Sequence, residues 1–176
     1  MYFWYKFFTY LIYPFTPIYL YYRKIRKKED SIRYKEKLSK INISREEGCL
    51  IWFHVASVGE AMSILPLIDA CIKEQKINKI LITSITISSG KILEKKFNKS
   101  TNVIHQYLPL DVPILVNKFL EHWKPNLSIF IDSEVWPNLI LNINKRKIPL
   151  LLINARITKK KFFEMEVNYK FCKKNI

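Results

Sequence analysis

One short segment of the chain brings together a histidine, a serine, a glycine and a carboxylate directly after a run of apolar residues. Residues 54–60 read HVASVGE. Glu60 could accept a proton from a substrate hydroxyl, because general-base catalysis needs an acceptor within hydrogen-bond reach. Two structural alternatives stay open: Ser57 as the N-cap of a helix, and Glu60 in its first turn, interacting with the helix dipole. His54, at the end of the apolar run, is typical of a hydrogen-bonded structural histidine.

Two carboxylates and an arginine follow two later apolar runs. Residues 132–138 read DSEVWPN, and Arg156 stands shortly after the last run. Asp132 and Glu134 can serve a site; the structural alternative is an N-terminal cap with Trp136 packed into the core. Arg156 suits a phosphate or a carboxylate, although a surface salt bridge is the commoner use of such a residue.

Five apolar runs of strand length must position these segments, and they alternate with stretches of helical spacing. The runs rich in Ile, Leu, Val and Phe cover residues 50–54, 80–83, 103–107, 127–131 and 150–153. Each is apolar on both faces, and Pro113 and Pro137 stand where first helical turns should begin. The pattern predicts an α/β fold: a Rossmann-like parallel sheet with helices on both faces. In such a sheet ligands bind outside the carboxyl ends of the strands, where the candidate residues would lie.

The first 22 residues form an almost unbroken apolar and aromatic run, in which Lys6 is the only charge. About 20 apolar residues can span a bilayer core, and the five cations among residues 23–28 would stay on the cytoplasmic side. Pro14 and Pro17 interrupt the run, and tyrosine and tryptophan favour the headgroup region, so an interfacial helix and a buried soluble helix stay open as alternatives. Because the length and apolar composition of the run match a bilayer span, we predict an N-terminal membrane-anchor helix.

The charge balance indicates an anionic partner. Lys and Arg number 30 against 15 acidic residues, which gives a net charge of +15 and favours anionic lipid, phosphorylated substrates or nucleic acid. The cations are dispersed and no RNA- or DNA-binding module is legible, so we expect an anionic membrane surface and no nucleic acid. Three cysteines without metal-ligand spacing, and the absence of a glycine-rich phosphate loop, indicate neither a zinc site nor a nucleotide fingerprint.

Five segments, taken together, resemble the N-terminal domain of the 3-deoxy-D-manno-octulosonic acid (Kdo) transferase family. They occur in the family's order and extend over nearly the whole chain. The segments are WFHVASVGE at 52–60, residues 83–90, YLPLDVP at 107–113, SEVWPNL at 133–139 and INAR at 153–156.

The resemblance implies a GT-B glycosyltransferase made of two Rossmann-like domains. The first would bind a lipid A precursor and the second the sugar donor CMP-Kdo, with no metal ion and no cofactor. Glu60 matches the family's general base. Asp132 matches a glutamate that helps to stabilise the transition state, since the family's Glu-Thr-Glu has become Asp132-Ser133-Glu134 here. The residues expected to bind substrate are Ser57, Gly59, Glu134 and Arg156.

The expected organisation has four parts: an anchor with a basic flank at 1–28, a charged linker or helix at 29–48, the acceptor-binding domain at 49–160 and a diverged tail at 161–176. The donor-binding domain is expected to be absent, so a separate donor-domain chain is a candidate partner. The leading interpretation is part of a glycosyltransferase at the bacterial inner membrane, facing the cytoplasm. The alternative is a non-catalytic, membrane-bound relic that binds anionic lipid.

Overall fold

A sheet of five parallel strands forms the centre of the computed structural model, which describes residues 2–131 and 136–153. The strands are β1 Leu50–Val55, β2 Lys79–Ser84, β3 Val103–Tyr107, β4 Leu127–Ile131 and β5 Leu150–Ile153. Their order across the sheet is β3-β2-β1-β4-β5, the doubly wound order of a Rossmann-like half. The predicted α/β fold is confirmed, and the bounds of β3, β4 and β5 are those expected from the sequence.

Helices cover both faces of the sheet. On one face lie α3 Val58–Ser63, α4 Leu65–Lys73 and α5 Ile87–Phe97; on the other lie α6 Pro113–Trp123 and α7 Pro137–Lys145. Pro113 and Pro137 both stand in the first helical turn, as predicted. The helices connect successive strands, which accounts for the parallel pairing.

The alternation of side chains along β1 divides the core into two layers. Phe53 and Val55 pack against α3, α4 and α5, whereas Leu50 and Trp52 pack against α6 and α7. Successive strand residues point to opposite faces, and both faces are covered here. The sequence of β1 is therefore apolar on both faces, with His54 as its one polar residue, rather than alternating with polar residues.

The N-terminal aromatic run is divided into two helices. α1 Tyr2–Ile12 and α2 Thr16–Ile25 are joined by a 3₁₀ turn at Tyr13–Phe15, and Pro14 and Pro17 lie at this break. Across residues 2–131 and 136–153, no helix has both the length and the apolar character needed to cross a bilayer.

The charged segment after α2 packs on the sheet. A 3₁₀ helix at Arg33–Leu38 contacts β3. The Lys37 ammonium donates to the carbonyl of Ile85 at 3.0 Å and pairs with Glu29 at 2.6 Å. Glu29 also pairs with Arg23 of α2 at 2.6 Å. The buried Glu29 carboxylate therefore links α2 to Lys37, which in turn contacts the loop that follows β2.

Candidate functional site

Two of the predicted segments follow β1 and β4, the neighbouring strands at which the strand order of the sheet reverses. β1 and β4 are neighbours, although β2 and β3 come between them in the chain, and ligands of such sheets bind at this switch point. The loop after β1 carries Ser57 and Glu60, and β4 ends at Ile131, the residue before Asp132. Asp132, Glu134 and Arg156 lie outside the described residues.

The Glu60 carboxylate is held in a reciprocal capping arrangement. Ser57 is the N-cap of α3, and its Oγ accepts a hydrogen bond from the Glu60 N–H at 3.3 Å. Glu60 Oε1 in turn accepts from the Ser57 hydroxyl at 2.8 Å, and Oε2 accepts from the Ala56 N–H at 2.7 Å. A serine followed three residues later by glutamate is the sequence signature of this box. The carboxylate is thereby fixed beside the carboxyl end of β1.

The capping arrangement leaves Glu60 able to accept another proton donor. A carboxylate has about four lone-pair positions, of which the described residues use two, and Glu60 is partly exposed. Ser57 and Gly59 are exposed in front of it. Among the described residues, a Cβ at Gly59 would have only Ser57 Oγ within 4.0 Å, so these residues leave the loop surface open on this side. A substrate hydroxyl can therefore approach the carboxylate.

His54 is a buried structural residue beneath this loop. Its Nδ1 lies 3.0 Å from Thr83 Oγ1 on β2, and Thr83 Oγ1 accepts from Trp52 Nε1 at 2.8 Å. Burial lowers the pKa of His54 to about 4, so the ring is neutral near pH 7. Its Nε2 has no hydrogen-bond partner in the described part of the chain. The histidine therefore joins β1 to β2 as a neutral group.

The start of α7 is capped from a distant loop. Asp111, between β3 and α6, accepts from the N–H groups of Asn138 at 3.0 Å and Leu139 at 2.9 Å. The N-cap position itself is Trp136, whose side chain makes no capping bond. Burial raises the pKa of Asp111, while these two N–H groups and the Tyr5 hydroxyl oppose the rise. Asp111 therefore fixes the first turn of the helix that follows Asp132 and Glu134.

The same aspartate receives helix α1. The Tyr5 hydroxyl donates to Asp111 Oδ2 at 2.8 Å, and the Tyr2 hydroxyl donates to Asn138 Oδ1 at 3.2 Å. Asn138 Nδ2 donates to Thr9 Oγ1 at 3.3 Å. Residues 2, 5 and 9 share one helix face, so hydroxyls at this spacing in an apolar run are the sequence signal for the contact. Neither the docking of α1 nor the capping role of Asp111 was predicted.

Cations beside aromatic rings mark the outer surface of α1 and α2. The Lys6 ammonium lies 6.0 Å from the Tyr10 ring centre, and the Arg26 guanidinium lies 4.6 Å from that of Tyr22.

Within residues 2–131 and 136–153, no three His, Cys, Asp or Glu side chains are grouped so that they could hold a metal ion.

A doubly wound sheet with a fixed carboxylate at its switch point places the chain among Rossmann-like ligand-binding domains. Comparison with known proteins is more specific. Residues 32–175 match the family described as 3-deoxy-D-manno-octulosonic-acid transferase (kdotransferase), and the chain belongs to this family.

The relatives are several times longer than the region they share with this chain. A probable mitochondrial 3-deoxy-D-manno-octulosonic acid transferase of Arabidopsis thaliana is 37% identical over 90% of the chain, and the match covers 35% of that protein. The 3-deoxy-D-manno-octulosonic acid transferase of Rickettsia bellii is 41% identical over 90% of the chain and 37% of its own length. That of Rickettsia felis is 50% identical over 64% of the chain and 24% of its own length. The chain thus spans about a third of the first two relatives.

Proposed function

We propose that this chain is the acceptor-binding part of a glycosyltransferase that transfers Kdo from CMP-Kdo to a lipid A precursor in lipopolysaccharide synthesis. The observation that carries the proposal is the Glu60 carboxylate, fixed by Ser57 and Ala56 at the switch point of the sheet. Family membership supplies the reaction. The second, donor-binding domain of the GT-B architecture would correspond to the part of the relatives that lies outside their match to this chain.

The proposed chemistry uses Glu60 as a general base. Its carboxylate takes the proton of an acceptor hydroxyl while that oxygen attacks the anomeric carbon of Kdo. The bond from this carbon to the phosphate oxygen of CMP breaks, and its electron pair leaves with CMP. Glu60 keeps its hydrogen bonds from Ala56 and Ser57, which orient the accepting oxygens before the substrate arrives. No metal ion or cofactor takes part in this scheme.

The resemblance to the family gives Asp132 its role, and the chemistry of the side chains suggests the further contacts. Asp132 would stabilise charge in the transition state, and Glu134 would contact substrate beside it. Arg156 would pair with a phosphate of the acceptor, since a guanidinium can bind phosphate with two hydrogen bonds. Ser57 and Gly59 form the exposed loop surface in front of Glu60. These contacts would hold the acceptor hydroxyl near the base.

The test is a reconstituted enzyme in which this chain is combined with the remaining part of the Rickettsia bellii relative. We expect transfer of Kdo from CMP-Kdo to a lipid A precursor, and we expect Glu60→Gln to lower turnover by about 10²- to 10⁴-fold, the usual contribution of a general base. Glutamine is nearly isosteric and can still accept from the Ala56 N–H, so acceptor binding should persist.

The control is the same substitution at a different partly exposed glutamate, Glu36. Its carboxylate pairs with Arg33 at 2.7 Å and belongs to the 3₁₀ helix, not to the Glu60 loop. Glu36→Gln should change turnover by less than about threefold, since it removes no proton acceptor from the site. Near-normal turnover in Glu60→Gln would exclude Glu60 as the base. Lost acceptor binding with intact folding would make Glu60 a binding residue instead.

We also infer that α1 and α2 rest in the surface of an anionic inner membrane, with the globular domain on the cytoplasmic side. Large apolar side chains are exposed along both helices and the turn between them, including Phe3 at 70%, Phe15 at 62% and Ile18 at 69%. Cations lie beside their aromatic rings, a combination suited to the headgroup region. Tyr2 and Tyr5 meanwhile hold α1 against the domain. These observations support an interfacial helix pair.

Co-sedimentation with phosphatidylglycerol vesicles tests this placement. Replacing Phe7 and Phe8, both about half exposed, by serine should weaken binding by roughly 10-fold or more, because apolar burial dominates interfacial affinity. Ile32→Ser removes a side chain that is 81% exposed but lies beyond α2, and should leave binding nearly unchanged. Equal losses in both variants would place the membrane surface elsewhere.

The membrane-facing helices also support a second function, a non-catalytic protein that binds anionic lipid. Both functions require vesicle binding, so turnover separates them. A chain that binds vesicles and lipid A but gives no transfer with the donor-binding domain supplied would be assigned to the second function.

A further inference from the structure

A cleft of about 420 Å³ opens between the N-terminal helices and the carboxyl edge of the sheet. Its helix side includes Ile12 and Phe15, and its sheet side includes Leu110, Val112 and Trp136. The volume falls in the range of roughly 300–1,000 Å³ that small ligands occupy in proteins. The cleft is distinct from the exposed loop that holds Glu60.

Most of the polar side chains that line this cleft, those of the threonines, tyrosines and aspartate, form hydrogen bonds within the protein. The Thr9 and Thr16 hydroxyls donate to backbone carbonyls of their own helical segment, at 2.9 Å and 2.7 Å. The Tyr5 hydroxyl donates to Asp111, and both Asp111 oxygens also accept from the start of α7. The Tyr19 hydroxyl lies 3.5 Å from Arg23 Nη1, which donates to it. What these groups leave facing the cleft is mainly hydrocarbon.

The rim of the cleft is continuous with the outer face of the two helices. Ile12, Phe15 and Tyr19 line it and are 56%, 62% and 51% exposed. Their neighbours Leu11 and Ile18 are exposed at 59% and 69%. A protein resting on a bilayer through this face would therefore open the cleft toward the acyl region.

The geometry points to a binding site for one acyl chain of a membrane phospholipid, held between α1, α2 and the loop that precedes α6. This inference rests on the interfacial placement of the helices proposed above. A hydrocarbon chain matches a lining whose polar groups are mostly paired. Within the described residues, the buried Trp136 Nε1 is the exception, because it has no hydrogen-bond partner. The phospholipid headgroup would remain at the membrane surface among the cations that flank the aromatic residues of α2. The site would hold the domain at a fixed height above the bilayer.

Contact quenching of tryptophan by brominated acyl chains tests the site directly in the full chain. The chain has four tryptophans; Trp52 and Trp123 are fully buried, and Trp4 is exposed on α1. In a Trp4→Phe background, phosphatidylglycerol vesicles with chains brominated near mid-length should reduce the Trp136 emission by at least about twofold. The Trp136 emission is the fluorescence of the Trp4→Phe variant minus that of the double variant Trp4→Phe/Trp136→Phe.

Two matched variants separate the cleft from the general surface. Ile12→Asp and Leu11→Asp place the same charge at neighbouring, similarly exposed positions, but only Ile12 lines the cleft. With enough lipid to bind all of the protein, Ile12→Asp should abolish Trp136 quenching and Leu11→Asp should retain it. Equal quenching in both, or none in the fully bound parent, would overturn the site. So would quenching that appears only when an acylated acceptor is added to the vesicles.

If the protein does not bind vesicles, a monomeric brominated alkyl glycoside can probe the cleft in solution. Quenching of Trp136 by this probe, lost in Ile12→Asp, would preserve the alkyl-binding cleft while removing the membrane placement. Absence of quenching by both probes would overturn the cleft itself. Neither result depends on turnover, so the proposed Kdo transfer succeeds or fails separately.

Discussion

Two helices begin beside the switch point of the sheet, and they are capped in opposite ways. The cap of α3 is local: Ser57 and Glu60 lie three residues apart and bond each other in both directions. The cap of α7 is remote: Asp111 accepts from Asn138, 27 residues later in the chain, and from Tyr5, 106 residues earlier. One arrangement can form within a single turn, whereas the other needs three separate parts of the fold.

This difference assigns the two helix starts different tasks. The local cap fixes the carboxylate that we propose as the base, and small errors in the position of a base affect the rate of its reaction directly. The remote cap joins the outer helix α1 to the first turn of α7, so a disturbance at α1 can reach the segment that precedes α7. Substitutions at the first should mainly change turnover, and substitutions at the second should mainly change stability and the docking of α1.

The largest effect on stability is expected from pH, through the histidine beneath the α3 loop. His54 has its pKa lowered from 6.5 to about 4 by burial, so the unfolded chain takes up this proton at a higher pH than the folded chain. The contribution of the neutral ring to the free energy of unfolding is fully present above pH 6.5 and is lost as the pH falls toward 4. The loss is about 3 kcal/mol, at about 1.4 kcal/mol per pKa unit.

Urea unfolding at several pH values between 7 and 4 measures this contribution as the difference between the wild type and His54→Gln. His105, whose pKa is lowered to about 3 mainly by burial, acts in the same direction in both proteins and cancels. Parallel pH profiles for the two proteins would show that His54 takes up its proton in the folded state as readily as in the unfolded chain.

The second effect concerns the remote cap. Asp111→Asn replaces a carboxylate that accepts from two backbone N–H groups and a tyrosine hydroxyl, and the new NH₂ group must face one of these donors. We expect a loss of about 2 kcal/mol in the free energy of unfolding, since hydrogen bonds to charged groups contribute about 1.5–3 kcal/mol each. Tyr5→Phe removes one of the three bonds and should cost about half as much.

Hydrogen exchange then distinguishes the remote cap from an isolated surface contact. In Asp111→Asn, exchange should become faster in α1 and in the first turn of α7 together. Faster exchange in α7 alone would show that α1 is held mainly by its apolar contacts, and the coupling between the two helices would be wrong.

The contrast between the caps also explains what could be predicted from the sequence. The five strands and the helix starts at Pro113 and Pro137 follow from local apolar runs and proline positions, and they are confirmed. The Ser57–Glu60 pair was recognisable as a candidate cap because its members are three residues apart. Local spacing was therefore enough to predict most of the strands and helices, and the place of Glu60 in the first helical turn after β1.

Long-range contacts were beyond this kind of prediction. No local pattern indicates that Asp111 caps α7, because its partners approach only after β3, α6 and β4 have packed. The aromatic run was expected to be an anchor, which stays a prediction, and its docking on the domain through residues 2, 5 and 9 was not expected. Periodicity shows which residues share a face, but it does not show what that face meets.

A third prediction concerns the segment between β4 and α7. Asp132 carries its carboxylate one methylene closer to the backbone than the glutamate that the family resemblance leads us to expect there. In the reconstituted enzyme, Asp132→Glu should raise turnover by about tenfold, because a misplacement of about 1 Å at a reacting centre can cost up to 10²-fold. Glu134→Asp, which shortens the other carboxylate, is the control and should not raise turnover. Equal or lower turnover in Asp132→Glu would show that the site has adapted to aspartate.

The smallest effect isolates the local cap from the carboxylate it holds. Ser57→Ala removes the side-chain acceptor for the Glu60 N–H and the hydroxyl donor to Glu60 Oε1, and should cost about 1 kcal/mol of stability, as for other N-caps. Thr86→Ala is the matched control, because Thr86 caps α5 through the Ser89 N–H at 3.2 Å and bonds no carboxylate of the described residues. Both variants should lose similar stability in urea unfolding. Only Ser57→Ala should also lower turnover, because Glu60 then keeps the Ala56 N–H as its remaining hydrogen bond within the loop and its oxygens are less well oriented. Equal turnover in the two variants would mean that Ser57 stabilises α3 without positioning the base, and the local cap would then be structural, like the remote one.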